Sequence, residues 1–255
     1  MWKIRFIDTA LRASWFLTIG ILVVVCGPRS YASTDISQAE TAGIELSHYD
    51  DVPAALAAGG WKQLRVKRRP VATFAPAADN AIAVSANQGA GFLYRPMSEF
   101  EATADALSWT WRVDVAPEPT SLSQRGQDDR PLAVHVWFPI EFATASLWTV
   151  LRTGIGKLLD LPVPGKILTY VWGGSEPRGS SLANPYLVED GRIIVLRPGH
   201  SSTAGWVHES VDFRADFERA FGYPAPPASF LVISADMDDL QGFSKAAIRN
   251  IRFDE

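Results

Sequence analysis

The chain has 255 residues, 24 of them Lys or Arg and 28 Asp or Glu, with nine Trp and a single Cys. At that length one hydrophobic core can sustain the fold without disulfide staples, and a lone cysteine excludes an internal disulfide. The mildly acidic balance, net −4 at pH 7, argues against nucleic acid as a partner.

The first residues read as a targeting segment. Lys3, Arg5 and Arg12 outweigh Asp8. The run Trp15 to Cys26 is apolar apart from Thr18 and Gly20, and Pro28 ends it. Ser30-Tyr31-Ala32 places small residues at the −3 and −1 positions of a signal-peptidase site. The run is shorter than the ~20 apolar residues that span a bilayer. Residues 1–32 are therefore expected to be a cleaved signal peptide, with an uncleaved anchor as the alternative. Cys26 follows Val23-Val24-Val25, which does not fit a lipobox, and no Arg pair precedes the run. Removing the leader's four basic residues and one acid leaves 20 basic and 27 acidic side chains and no cysteine. Thiol catalysis and thiolate-held zinc are then excluded. The expected location is the periplasm or the extracellular space, with no stable membrane insertion after cleavage and a monomeric state.

Beyond the leader, residues 33–47 are polar and without pattern, a flexible tether. Asp51–Ala58 is expected to be a short helix with Asp51 as N-cap, stopped by Gly59-Gly60. The hydrophobic period then becomes two. Strands are expected at Trp61–Val66, Val71–Phe74, Ala81–Ser85, Phe92–Arg95, Leu107–Val113, Leu132–Phe138, Ile167–Trp172, Arg192–Leu196, Trp206–Val211, Phe230–Ala235 and Ala247–Phe253. Two segments break the pattern. Residues 142–159 place Leu147, Leu151, Ile155 and Leu158 at helical spacing: a helix packed on the sheets, or a lid. Phe213–Phe221 carries phenylalanines four apart, with Asp212 as N-cap and Gly222 as stop. The fold class expected for 48–255 is all-β with minor helices. It is a single β-sandwich of jelly-roll type, similar to carbohydrate-binding or galactose-binding-like domains, with a helical insertion around 142–159.

No phosphate loop, dinucleotide fingerprint, His-Glu-x-x-His pair or Gly-x-Ser-x-Gly elbow is present. The reading leans away from an enzyme, and no catalytic residue is assigned. Two constellations remain. Asp236, Asp238 and Asp239 follow an apolar strand and offer hard oxygen ligands suited to a structural Ca²⁺. The alternatives are a solvated turn or an acid/base pair for glycoside chemistry. Asp128-Asp129 is a second acidic turn. The other constellation is a surface. In the strand Leu132–Phe138, Leu132, Val134, Val136 and Phe138 form the core side and leave His135 and Trp137 outside. In Leu107–Val113, Trp109, Trp111 and Val113 look inward and leave Arg112 outside. Arg112, His135 and Trp137 together would join an aromatic surface to hydrogen-bond donors, the combination that holds sugars. The alternative is that the 142–159 helix covers this face and buries Trp137.

The order of these pieces resembles the bacterial DUF3047 family of uncharacterised exported proteins. The stretches that carry it are Trp109-Thr110-Trp111-Arg112-Val113, Asp128-Asp129 leading into Val134-His135-Val136-Trp137-Phe138, and Leu168-Thr169-Tyr170-Val171-Trp172. Trp206, Asp216-Phe217, Phe221-Gly222 and Asp236-Met237-Asp238-Asp239 continue it. Ala133, His135 and Leu240 depart from the family's usual Arg, Tyr and Thr. The resemblance implies export and supplies no catalytic residues. Three functions follow as expectations: a non-catalytic envelope module binding a glycan or envelope polymer, a glycan-directed hydrolase using Asp236 and Asp238, or a structural or adaptor protein of the periplasm.

Overall fold

Period-two alternation through most of the chain produces thirteen strands among the described residues, which are 46–140, 162–201 and 205–254 of the computed structural model. In chain order they are β1 (Leu46–Tyr49), β2 (Lys62–Val66), β3 (Thr73–Pro76), β4 (Ile82–Asn87), β5 (Ala90–Pro96), β6 (Ala106–Val115) and β7 (Arg130–Trp137). There follow β8 (Ile167–Trp172), β9 (Ser181–Asn184), β10 (Leu187–Arg197), β11 (Val207–Asp212), β12 (Phe230–Asp236) and β13 (Phe243–Asp254). Among the described residues three α-helices accompany them, α1 (Ala54–Ala58), α2 (Glu99–Thr103) and α3 (Phe213–Phe221), with a single 3-10 turn at Ala78–Asn80. A larger sheet of eight strands runs β1-β2-β5-β12-β7-β8-β10-β9, and a smaller one of five runs β11-β6-β13-β4-β3. The architecture is the expected all-β sandwich of jelly-roll type. Every paired neighbour is antiparallel except β8 and β10, which run parallel. The 142–159 helix expected from sequence lies outside the described residues.

The core forms between the sheets. Trp109, Trp111 and Val113 of β6 meet Leu132, Val134 and Val136 of β7 and Tyr170 and Trp172 of β8 in one buried cluster. Both expected inward faces are therefore correct. The larger sheet also buries much of its other face. All eight residues of β7 and all six of β8 are buried. Leu64, Tyr94, Trp137, Ile167 and Val232 form a second apolar cluster there, and Ala133, Val171, Ile193 and Val195 a third, under Leu122.

α3 has the expected bounds. Asp212 Oδ1 accepts from Ala215 N–H at 2.8 Å, and Gly222 closes the helix at φ 83°. That left-handed conformation costs glycine nothing, since it has no Cβ. α1 is shorter than expected. Pro53, with ψ 135°, stands as N-cap in place of Asp51. The residue before a proline is pushed out of the helical region, so the helix cannot begin earlier. β1 starts at Leu46, inside the stretch read as a tether. α2 was not expected, although Ser98 and Glu101 form a full capping box at its start.

Candidate functional site

Arg112, His135 and Trp137 do not share a face. β6 belongs to the smaller sheet and β7 to the larger, with the core between them. The outward side of each strand is therefore an opposite surface of the sandwich. The alternation on each strand is right; the sheet to which each strand belongs separates them. His135 and Trp137 are only 4% and 3% exposed. His135 sits in a polar strip within the apolar face: Nδ1 lies 2.9 Å from Thr169 Oγ1 and Nε2 lies 2.7 Å from Ser234 Oγ. Burial holds its pKa well below the usual histidine range, and the Arg130 charge adds to this. Phe92 packs on both His135 and Trp137, at 6.0 and 6.5 Å between ring centroids. This is a filled face with its polar groups satisfied, apart from the Trp137 indole N–H.

The two acidic turns, far apart in sequence, meet at one end of the larger sheet. Asp239 N–H donates to Asp129 Oδ1 at 3.1 Å and Leu240 N–H to Asp129 Oδ2 at 3.2 Å. In return Asp128 N–H donates to Asp239 Oδ2 at 3.3 Å. Buried Arg130 bridges the loops, from Nη1 to Asp128 Oδ2 at 2.8 Å and from Nη2 to Asp236 Oδ2 at 3.2 Å. Arg69 Nε lies 3.0 Å from Asp238 Oδ2. Arg249 of β13 pairs with Asp79 at 2.8 Å and not with these acids. Of the three expected metal ligands, Asp238 and Asp239 stay together. Their third companion is Asp129, with one oxygen of each inside 4.8 Å of the others. Asp236 pairs with Arg130 instead. The three oxygens are of the kind that holds Ca²⁺. Two other means already offset their charge: arginines, and backbone N–H groups on Asp129.

A proton is a third means. Burial, a carboxyl–carboxyl hydrogen bond with Asp128 and the charges of Asp128 and Asp238 push Asp239 up to about 7. Burial likewise raises Asp236, against the pull of Arg130. An unfolded Asp releases its proton near ~3.9. Between there and ~7 folding takes up a proton at Asp239, so stability falls as pH rises through that window and levels off above it. Asp239→Asn removes this slope. The variant is expected to gain on the parent between pH 5 and pH 8 in urea melts; parallel curves would show that Asp239 does not carry the proton.

Arg112 belongs to a third place, the outward side of the smaller sheet. Its guanidinium carbon lies 4.8 Å from the centroid of the Trp206 ring, and that of Arg249 lies 4.1 Å from the same centroid. Asp114 and Asp79 pair with these arginines, at 3.2 and 2.8 Å. The sequence marks Trp206 as the start of a strand and among the family's residues but assigns it to no site. Its signal was its place just before β11, in phase with exposed His208 and Ser210.

A family model described as "Protein of unknown function (DUF3047)" matches residues 59–252. The chain belongs to the DUF3047 family. No curated protein matches this DUF3047 chain in sequence. Among solved structures it is similar to the xyloglucanase domain of NopAA, a type three effector from Sinorhizobium fredii, in complex with cellobiose. That match has 8% identity and a TM-score of 0.41, over 76% of this chain and 93% of that one. Endoglucanase cel12A from Rhodothermus marinus matches at 10% identity and TM-score 0.42, over 77% and 94%. A family 12 xyloglucanase from Bacillus licheniformis matches at 10% and 0.38, over 80% and 88%. Likenesses at these scores bear on none of the three places described above. Among the described residues no helix is long and apolar enough to cross a membrane.

Proposed function

We propose that this DUF3047 chain is an exported, non-catalytic module that binds a glycan or a similar polar ligand on the outward side of its smaller sheet. The observation that supports it is Trp206 held against Arg112 and Arg249 on a mostly polar face that also exposes Val115 and Phe243. An aromatic ring covers the C–H face of a sugar, and fixed guanidinium donors hold its hydroxyls. Export rests on the N-terminal pattern of charge, apolar run and small residues. Sequencing the protein recovered from its native host should give a start near Ser33. An intact Met1-Trp2 terminus in the membrane fraction would show an anchor instead. A glycan-array screen of the secreted form, with and without Ca²⁺, tests binding. At least one glycan should be retained by the parent and lost by Trp206→Ala; an array with no retained glycan in either condition sinks the reading.

The alternative is a glycan-directed hydrolase built on the carboxylates that gather at one end of the larger sheet, Asp129, Asp238 and Asp239 with Asp128 and Asp236 beside them. Glycoside cleavage uses two carboxyl groups, one as acid and one as base or nucleophile. Release of reducing ends from any glycan, abolished by Asp239→Asn in a folded variant, would replace the binding reading with this one.

A further inference from the structure

We propose that the Trp206 face takes an extended, uncharged glycan chain, and that Phe243 is its second contact. This rests on the binding reading above and specifies its ligand. Phe243 opens β13 and lies on the same outward side. Ser244 and Ala246 are buried, while Phe243 and Lys245 are exposed. Lys245 is the partner of Val115 in β6 and of Ser85 in β4, and its ammonium lies 5.6 Å from the centroid of the Phe243 ring. Phe243 is 40% exposed and Val115 39%, which leaves apolar surface open at this end of the sheet. The register sets the distance between the two rings. Trp206 directly precedes Val207, the partner of Trp111, so it stands beside Arg112. Arg112 is in turn the partner of Ala247, on the strand that Phe243 opens. At ~3.3 Å per residue, Ala247 and Phe243 are about 13 Å apart along β13. That span exceeds one sugar ring and suits a chain. A chain that reaches both rings meets the second at high effective concentration, so affinity should grow with its length.

Charge sets the ligand class. Asp114 pairs with Arg112 and Asp79 with Arg249. Asp212 and Asp254 are both partners of Ala106, close to Arg252, the partner of Ser108. Arg112, Lys245, Arg249 and Arg252 are thus balanced by Asp79, Asp114, Asp212 and Asp254. A face without net charge draws in neither a polyanion nor a polycation. Either would also set like charges against one half of these side chains. A neutral chain meets no such penalty. Its C–H faces lie on the two rings, and its hydroxyls bond to the guanidinium and carboxylate groups around them.

The test presents the secreted protein with neutral cello-, xylo-, manno- and malto-oligosaccharides, from dimers to hexamers. Oligogalacturonates and chitosan oligomers of the same lengths supply the two charged classes. At least one neutral series should be retained, more strongly as it lengthens and equally at low and high salt. Trp206→Ala should abolish retention. Phe243→Ala should weaken the hexamers by roughly tenfold and leave the dimers unchanged, so that length no longer matters. Phe100→Ala, which removes an exposed ring from α2, should match the parent. Stronger retention of either charged series overturns the neutral class and leaves glycan binding intact. Parent-like retention of hexamers by a folded Phe243→Ala, or equal retention of dimers and hexamers by the parent, overturns the two-ring span alone. Equal losses in Phe100→Ala and Phe243→Ala reduce the effect to general stickiness and overturn the site. Failure to retain any glycan overturns the binding reading with this one.

Discussion

Trp111→Ala is expected to destabilise the domain by ~3 to ~5 kcal/mol, the cost of truncating a large aromatic side chain in a packed core. Trp111 is fully buried. Its ring lies edge-on to Trp109 at 5.3 Å and to Trp172 at 5.7 Å, so it joins β6 of the smaller sheet to β8 of the larger. Its indole N–H has no hydrogen-bond partner. The loss is therefore one of packing and aromatic contact, with no acceptor left unpaired. At ~2 to ~4 °C per kcal/mol for a domain of this size, the melting temperature should drop by roughly 10 °C. Trp111→Phe, which keeps a ring in the cavity, should recover a large part of it. An unchanged melting temperature in the alanine variant would show the core to be packed differently.

Arg130→Met should cost a similar amount, about 3 to 5 kcal/mol, for an electrostatic reason. The Arg130 side chain is 6% exposed and lies between Asp128 and Asp236, which are 2% and 18% exposed. Methionine fills the space and removes the charge, leaving two carboxylates with no cation in contact. Breaking a buried pair from one side costs more than the pair contributes, because the remaining ion stays desolvated. The cost should shrink toward acid pH, where the orphaned carboxyls take up protons. Denaturant melts at pH 5 and pH 8 measure both points. A change below ~0.5 kcal/mol at pH 8, the size of an ordinary surface substitution, would mean that Arg130 does not hold the acidic loops together.

The strands of this fold were legible because most are wetter on one side than the other. Alternation placed Trp109 and Trp111 inward and Arg112 outward, while the short β-branched and aromatic run Ile167–Trp172, bounded by Lys166 and Gly173, was legible to the residue without it. What alternation cannot show is which strands share a sheet. β6 and β7 each display a polar outer set, and only their pairing reveals that Arg112 and His135 face opposite directions. The same limit hid Trp206, whose partners Arg112 and Arg249 come from two other strands. It hid the acidic site too: Asp129 and Leu240 are 111 residues apart, and the hydrogen bond that joins their loops has no local trace. β1 and β9 escaped notice for a different reason. Each has four residues, too few for a period to stand out, and each lies at a sheet edge. α2 could have been read, since Ser98-Glu99-Phe100-Glu101 has the spacing of a capping box.

Burial of β8 on both sides has a consequence for the chain before it folds. A strand wetted on one face must alternate, and its polar residues make it a poor template for self-association. Freed of that constraint, β8 reads Ile-Leu-Thr-Tyr-Val-Trp, six residues of high β-propensity with no charge, proline or glycine. Such a hexapeptide, exposed, has the composition of an amyloid-forming segment. Lys166 directly before it and Gly173-Gly174 directly after it are the flanking residues that interrupt stacking. Neutralising Lys166 also removes its native contacts with Asp190 and the Phe221 ring, but its larger expected effect is a raised yield of aggregate during refolding.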